Sequence, residues 1–141
     1  MDEIIDLLTE KNCCLEKFLN LNKSEFKNFQ EGNFNGLDSF YQDRESLLKL
    51  VQAIDNNIEL SNSHPLTGEP VSEVQRKAIL KCLAYKNELV TDILEMDLQI
   101  LSLIEATKSM IIRELTEVRS TRKAIRGYHS GINVNSLDEK V

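Results

Sequence analysis

At 141 residues with a net charge of −6 and a pI near 5.0, the chain has the size of one domain and lacks the basic footprint on which phosphate recognition depends, which argues against bulk-charge nucleic-acid binding. A hydrophobic content of 41% suffices for a core, and the absence of Trp beside 6% aromatic and 28% charged residues fits a helical assembly better than a rounded α/β fold. No run of about 18 apolar residues could cross a membrane and no signal-peptide pattern opens the sequence, so the expected compartment is the cytoplasm.

From Asp2 to about Glu31 the positions Ile5, Leu8, Asn12, Leu15, Leu19, Asn22, Phe26 and Phe29 recur with alternating gaps of three and four. That is the seam of a helix packed on another helix. Asn12 and Asn22 are polar seam residues, either fixing register inside the packing or facing water at its margin. Ile4, Leu7, Cys14, Phe18 and Leu21 form a second stripe, so this helix is expected to touch more than one neighbour or to leave apolar surface for something else. Glu31-Gly32-Asn33-Phe34-Asn35-Gly36 ends the pattern with residues that tolerate left-handed backbone, and Asn35 is placed to cap the next helix.

The second helix carries Leu37, Phe40, Arg44, Leu47, Val51, Ile54 and Ile58. Arg44, the charged residue on that seam, is expected to snorkel to the edge or to pair with a carboxylate. Ser61 to Pro70 reads as a loop because it holds both prolines and Gly68. Ser72-Glu73-Val74-Gln75 then fits an S-x-x-Q capping box and starts a third helix that meets no proline and no glycine before Gly127.

At about 1.5 Å per residue such a helix would reach roughly 85 Å, so its apolar side must lie against other helices. Its first part reads Ile79, Cys82, Lys86, Leu89, Ile93, Met96 and Ile100; from Ile93 the gaps become an eleven-residue rhythm through Ile104, Thr107, Ile111, Leu115 and Val118. Leu94, Leu98, Leu101 and Leu103 thicken the apolar face, which makes the middle of this helix the expected core. Asp97 lies inside that block, on a wet side or in an inter-helix ion pair. Arg113, Arg119, Arg122, Lys123 and Arg126 then make a locally basic end, either a solvated face favoured by the helix dipole or a docking surface for an acidic partner.

The expected fold is therefore all-α, an elongated antiparallel helical hairpin or three-helix bundle with one very long C-terminal helix. Residues 1–128 would form a single domain with helices over about 2–31, 36–60 and 72–127, followed by a mobile tail at 129–141. Whether helices one and two run as one broken arm or fold back on each other is open at this level.

Little chemistry is expected. Cys13, Cys14 and Cys82 match no zinc spacing and read as small hydrophobes of a reducing compartment. There is no phosphate-binding glycine loop, no H-E-x-x-H, no G-x-S-x-G and no E-x-x-H, and His64 and His129 stand alone in sequence. Neither catalysis nor a cofactor is expected. Binding through apolar helix surface remains, whether to a partner helix or to a second copy.

The order of features resembles a known family. A first helix, then Phe29-x-x-Gly32-Asn33-Phe34-Asn35-Gly36-Leu37 leading into Tyr41-Gln42-Asp43-Arg44-Glu45-Ser46-Leu47-Leu48, then a long helix closing on Lys123-Ala124-Ile125-Arg126-Gly127-Tyr128, is similar to flagellar type III export chaperones of the FlgN and FliT type. The resemblance implies a small cytoplasmic protein that binds the C-terminal amphipathic helix of a hook-associated or cap protein and delivers it to the cytoplasmic domain of the export gate. It implies Ile104, Ile111, Leu115, Val118 and Ile125 as client anchors and Tyr128 as the gate-docking residue. The competing expectation is a coiled-coil structural or adaptor protein that self-associates through the same seams.

Overall fold

The computed structural model describes residues 1–63 and 70–136, with side chains for 1–62 and 70–127. Three helices account for it, α1 (Asp2–Gln30), α2 (Leu37–Ser63) and α3 (Glu73–Ser136), and no strand occurs among the described residues. The chain divides after Leu101, inside α3, into one unit of residues 1–101 and a second of 102–141.

Within the first unit the turn at 31–36 folds α2 back onto α1. Contacts between them run in opposite senses: Phe29 meets Phe40, Asn22 meets Arg44, and Lys11 meets Asp55 at 2.7 Å. Those pairs describe an antiparallel hairpin, not one broken arm. α3 runs parallel to α1, as the pairings Asp2 with Gln75, Asn12 with Cys82, and Asn22 with Asp97 rise together along both helices.

Each helix end has an identifiable cause. Gly32 takes a φ of +81°, and the bonds Asn33 N–H to Asn28 O (2.9 Å) and Gly32 N–H to Phe29 O (3.1 Å) complete a Schellman closure of α1. Asn33, not Asn35, supplies the side-chain acceptor in this turn: its Oδ1 takes the N–H of Asn35 at 3.1 Å. Phe29, 1% exposed, stacks on Phe34 at 5.0 Å and meets Phe40 edge-on at 5.4 Å, so the aromatic pack pins α2 to the end of α1. The capping box of α3 is present as the sequence leads one to expect, with Gln75 N–H on Ser72 Oγ at 3.1 Å and Ser72 N–H on Gln75 Oε1 at 3.0 Å. The Nε2 of Gln75 also donates to Asp2 at 2.9 Å, which ties the start of α3 to the start of α1.

The core of the first unit is Leu15, Phe18 and Leu19 of α1 against Leu89 and Ile93 of α3, with Leu47, Val51 and Val90 packed beside it. Both stripes of α1 contribute, because Phe18 and Cys14 are buried along with the main seam. Asn12 and Asn22 are buried as well, at 5% and 0% exposed, and so lie inside the packing, not at its wet margin.

Three expectations need correction. α2 continues to Ser63, so the loop begins later than Ser61; residues 64–69, His64 among them, lie outside the described residues. α3 passes through Gly127 and ends at Ser136, where a tail from 129 was expected; a glycine without positive φ costs a helix only about 1 kcal/mol and need not stop it. Residues 137–141 lie outside the described residues. Finally, the middle of α3 is not buried all round: Ile93, Ile100 and Ile104 are buried, but Leu94, Leu98 and Leu101 are 57%, 69% and 49% exposed. The eleven-residue seam points one way and these leucines another, since a step of one residue turns a helix by about 100°.

Candidate functional site

The described residues of the second unit, 102–136, are a length of α3. At the 3-4 spacing of a helix seam they present Ile111, Leu115, Val118 and Ile125, which are 50%, 52%, 47% and 50% exposed. A lone helix has nothing of its own with which to cover such a stripe, and an apolar stripe of this kind is what a second amphipathic helix binds. Ile104, the remaining expected anchor, is 3% exposed and thus not open to a partner. Tyr128 falls within α3, but its side chain lies outside the described residues. Met110 and Ile112 are also exposed here and widen the apolar surface beyond the expected anchors.

Charge accompanies the stripe. Arg113, Arg119, Arg122, Lys123 and Arg126 are exposed, as are Glu114 and Glu117, and among the described residues the one ion pair within this unit is Lys108 with Glu105 at 3.7 Å. Thr116, Arg119, Arg122, Lys123 and Arg126 share a shallow hollow of about 450 Å³.

The first unit carries two further features. Between α2 and α3 a hollow of about 240 Å³ has Leu15, Phe18 and Ile93 as apolar lining, with Leu48 and Leu94 exposed at its edges and the Arg44–Asp97 pair beside them. Arg44 stands over the rings of Phe18 and Phe40 at 4.6 and 5.1 Å, so its charge is held by two aromatic faces as well as by Asp97. Both residues stand out in the sequence, each with two readings; the fold joins them. The exposed leucine row does not stand out there as surface, although Leu80, Leu83, Leu94 and Leu101 each stand one residue after a position of the seam. That offset is the available signal.

Between α1 and α3 lies a hollow of about 210 Å³ bordered by Asn12, Cys13, Glu16, Cys82 and Tyr85. A hydrogen bond with the Glu16 carboxylate, and secondarily partial desolvation and negative charge nearby, push the phenol of the exposed Tyr85 above its ordinary value. Cys14 is buried, and burial pushes its thiol up, whereas Cys13 is exposed. Among the described residues no group of three or more His, Cys, Asp or Glu side chains is placed to hold a metal ion. None of their helices is long and apolar enough to cross a membrane.

A scan against protein-family models finds no match, and searches of curated proteins and of solved structures find none either.

Proposed function

We propose that this chain is a helical binding protein of the export-chaperone kind, which receives an amphipathic helix of a client along the C-terminal part of α3. The observation that carries the reading is the row of half-exposed apolar side chains at Ile111, Leu115, Val118 and Ile125 on a unit whose described residues form one helix and hold no second element to cover them. Four anchors at i, i+4, i+7 and i+14 span three to four turns, the length over which helix-in-groove recognition normally operates. In the flagellar reading suggested by the resemblance, the client is the C-terminal segment of a hook-associated or cap protein, the compartment is the cytoplasm, and Tyr128 docks to the export gate.

The test is the full chain carrying Ile111→Lys and Val118→Lys. We expect binding of the C-terminal segment of a hook-associated or cap protein to be lost while circular dichroism and the unfolding midpoint stay close to those of the parent. Undiminished binding would remove the stripe from the site, and a collapse of the midpoint would show that it belongs to a core.

The competing reading, self-association through the same stripe, has the heptad placement of Ile111, Leu115, Val118 and Ile125 in its favour. Sedimentation of the parent and of the double variant separates the two. A stable oligomer that the variant dissolves, without any client binding by the parent, favours self-association.

A further inference from the structure

We infer that the helix received by the Ile111–Ile125 stripe is an acidic one, with carboxylates set opposite Arg122 and along the flank occupied by Arg119 and Arg126. The inference rests on the stripe being a helix-binding site and adds the chemistry of its occupant.

Arg122 carries the argument. It falls at the seam position between Val118 and Ile125, so a helix that contacts both of those residues must lie over it. A guanidinium removed from water without an anion is costly, and Arg is never neutral at biological pH. It can lean toward one flank of the stripe, but at about 100° per residue that flank is occupied by Arg119 and Arg126, with Lys108 on the same side. The opposite flank holds Glu114 and Glu117, which border a surface hollow with Arg122, yet no described carboxylate comes within the ion-pair distance of it. The stripe thus has one cationic side on which Arg119, Arg122 and Arg126, unlike Lys108, have no ion-pair partner among the described residues.

Wider charge runs the same way. Residues 102–141 contain seven Lys or Arg against five Asp or Glu, whereas residues 1–101 contain ten against eighteen, so the basic surplus is confined to the part of the chain that bears the stripe. A partner with lysines over Arg122 would stack like charges in a partly desolvated seam, which interfaces avoid. An acidic helix instead makes charge-assisted, forked contacts to Arg119, Arg122 and Arg126.

The experiment uses the full chain and three synthetic amphipathic peptides that share one leucine seam and differ only in their flanks, which are Glu, Gln or Lys. Fluorescence anisotropy at low salt should rank them Glu, then Gln, then Lys, with the first about tenfold tighter than the last, as two or three exposed charge pairs would give. The ranking should compress as salt rises, because the Debye length falls to about 8 Å at physiological ionic strength. The chain with Arg119→Gln, Arg122→Gln and Arg126→Gln should lose the preference for the Glu peptide over the Lys peptide. Equal affinity for the Glu and Lys peptides, or a preference that survives the triple change, overturns the inference and leaves the stripe standing as a helix site. Failure of all three peptides to bind overturns the helix-binding reading itself.

Discussion

Arg44 of α2 grips Asp97 of α3 with both arms of its guanidinium, Nη1 to Oδ1 at 2.7 Å and Nη2 to Oδ2 at 3.3 Å, while Asn22 of α1 donates to the same Oδ1 at 2.7 Å and accepts from Nη1 at 2.9 Å. One cluster therefore joins all three helices of the first unit. Its charged side chains are 19% and 18% exposed, which places the pair between a solvated bridge and a fully buried one. Replacing Asp97 with Ala leaves Arg44 and Asn22 without their anion, and we expect a loss of about 2–3 kcal/mol in urea unfolding. Arg44→Met with Asp97→Leu should cost less than the two single changes added together. A loss below about 0.5 kcal/mol for Asp97→Ala would mean that water screens the pair as it does a surface bridge.

The two seam asparagines should respond oppositely to the same substitution. Asn12 donates to the Cys82 carbonyl at 3.0 Å, but its Oδ1 is buried without a partner. Asn12→Leu removes that orphan, and since an unmet buried acceptor costs about 1–3 kcal/mol against about 1 for the bond given up, we expect stability to hold or rise by up to about 1 kcal/mol. Asn22 has both ends of its amide engaged, so Asn22→Leu should lower stability by about 2 kcal/mol in the same urea measurement. Equal effects at the two sites would mean that the cluster around Asn22 contributes no more than the single bond of Asn12.

Much of this architecture is legible in the chain because its signals are local. The 3-4 seams mark three helices, Ser72 and Gln75 announce their reciprocal cap, and Gly32 supplies the left-handed residue that closes α1. The features that cannot be read there depend on partners distant in sequence. Asp97 sits among leucines, and only α2 folding back brings Arg44 to it across 53 residues. Likewise the row Leu94, Leu98 and Leu101 has the composition of core; its exposure depends on which side of α3 meets α1, a choice that the interleaved apolar rows leave undetermined. Of the expected anchors, Ile104 and Ile111 share one seam in sequence yet differ in exposure, 3% against 50%, so spacing finds the stripe but not where along it cover ends.

Cys13 and Cys14 are neighbours in sequence with different surroundings. A maleimide pulse on the native chain should label Cys13 readily and leave Cys14 protected until denaturant is added, as read by mass of tryptic peptides. Burial raises the Cys14 thiol above its usual value of 9.0, with Lys17 opposing the shift and negative charge at Glu10 adding to it. The neutral thiol is therefore favoured more in the folded than in the unfolded chain. Its contribution to stability is complete below 9.0 and is lost as pH rises through the raised folded value, because the unfolded thiol ionises first. Cys14→Ala should flatten that part of the alkaline decline, while Cys13→Ala should not.

Gly32 and Gly127 make the last contrast, since a Cβ at either position meets nothing within 4 Å and only the backbone decides the outcome. At Gly32 the φ of +81° is unfavourable for any residue with a Cβ, so Gly32→Ala should cost about 1 kcal/mol in thermal or urea unfolding. At Gly127 the helix runs straight through without a positive φ, and Ala is the better helix former by about 1 kcal/mol. Gly127→Ala should accordingly slow amide exchange in the flanking turns and raise the helical signal slightly. Faster exchange there would mean that Gly127 takes a left-handed backbone and terminates α3, in which case Tyr128 would be carried beyond the helix and not on it.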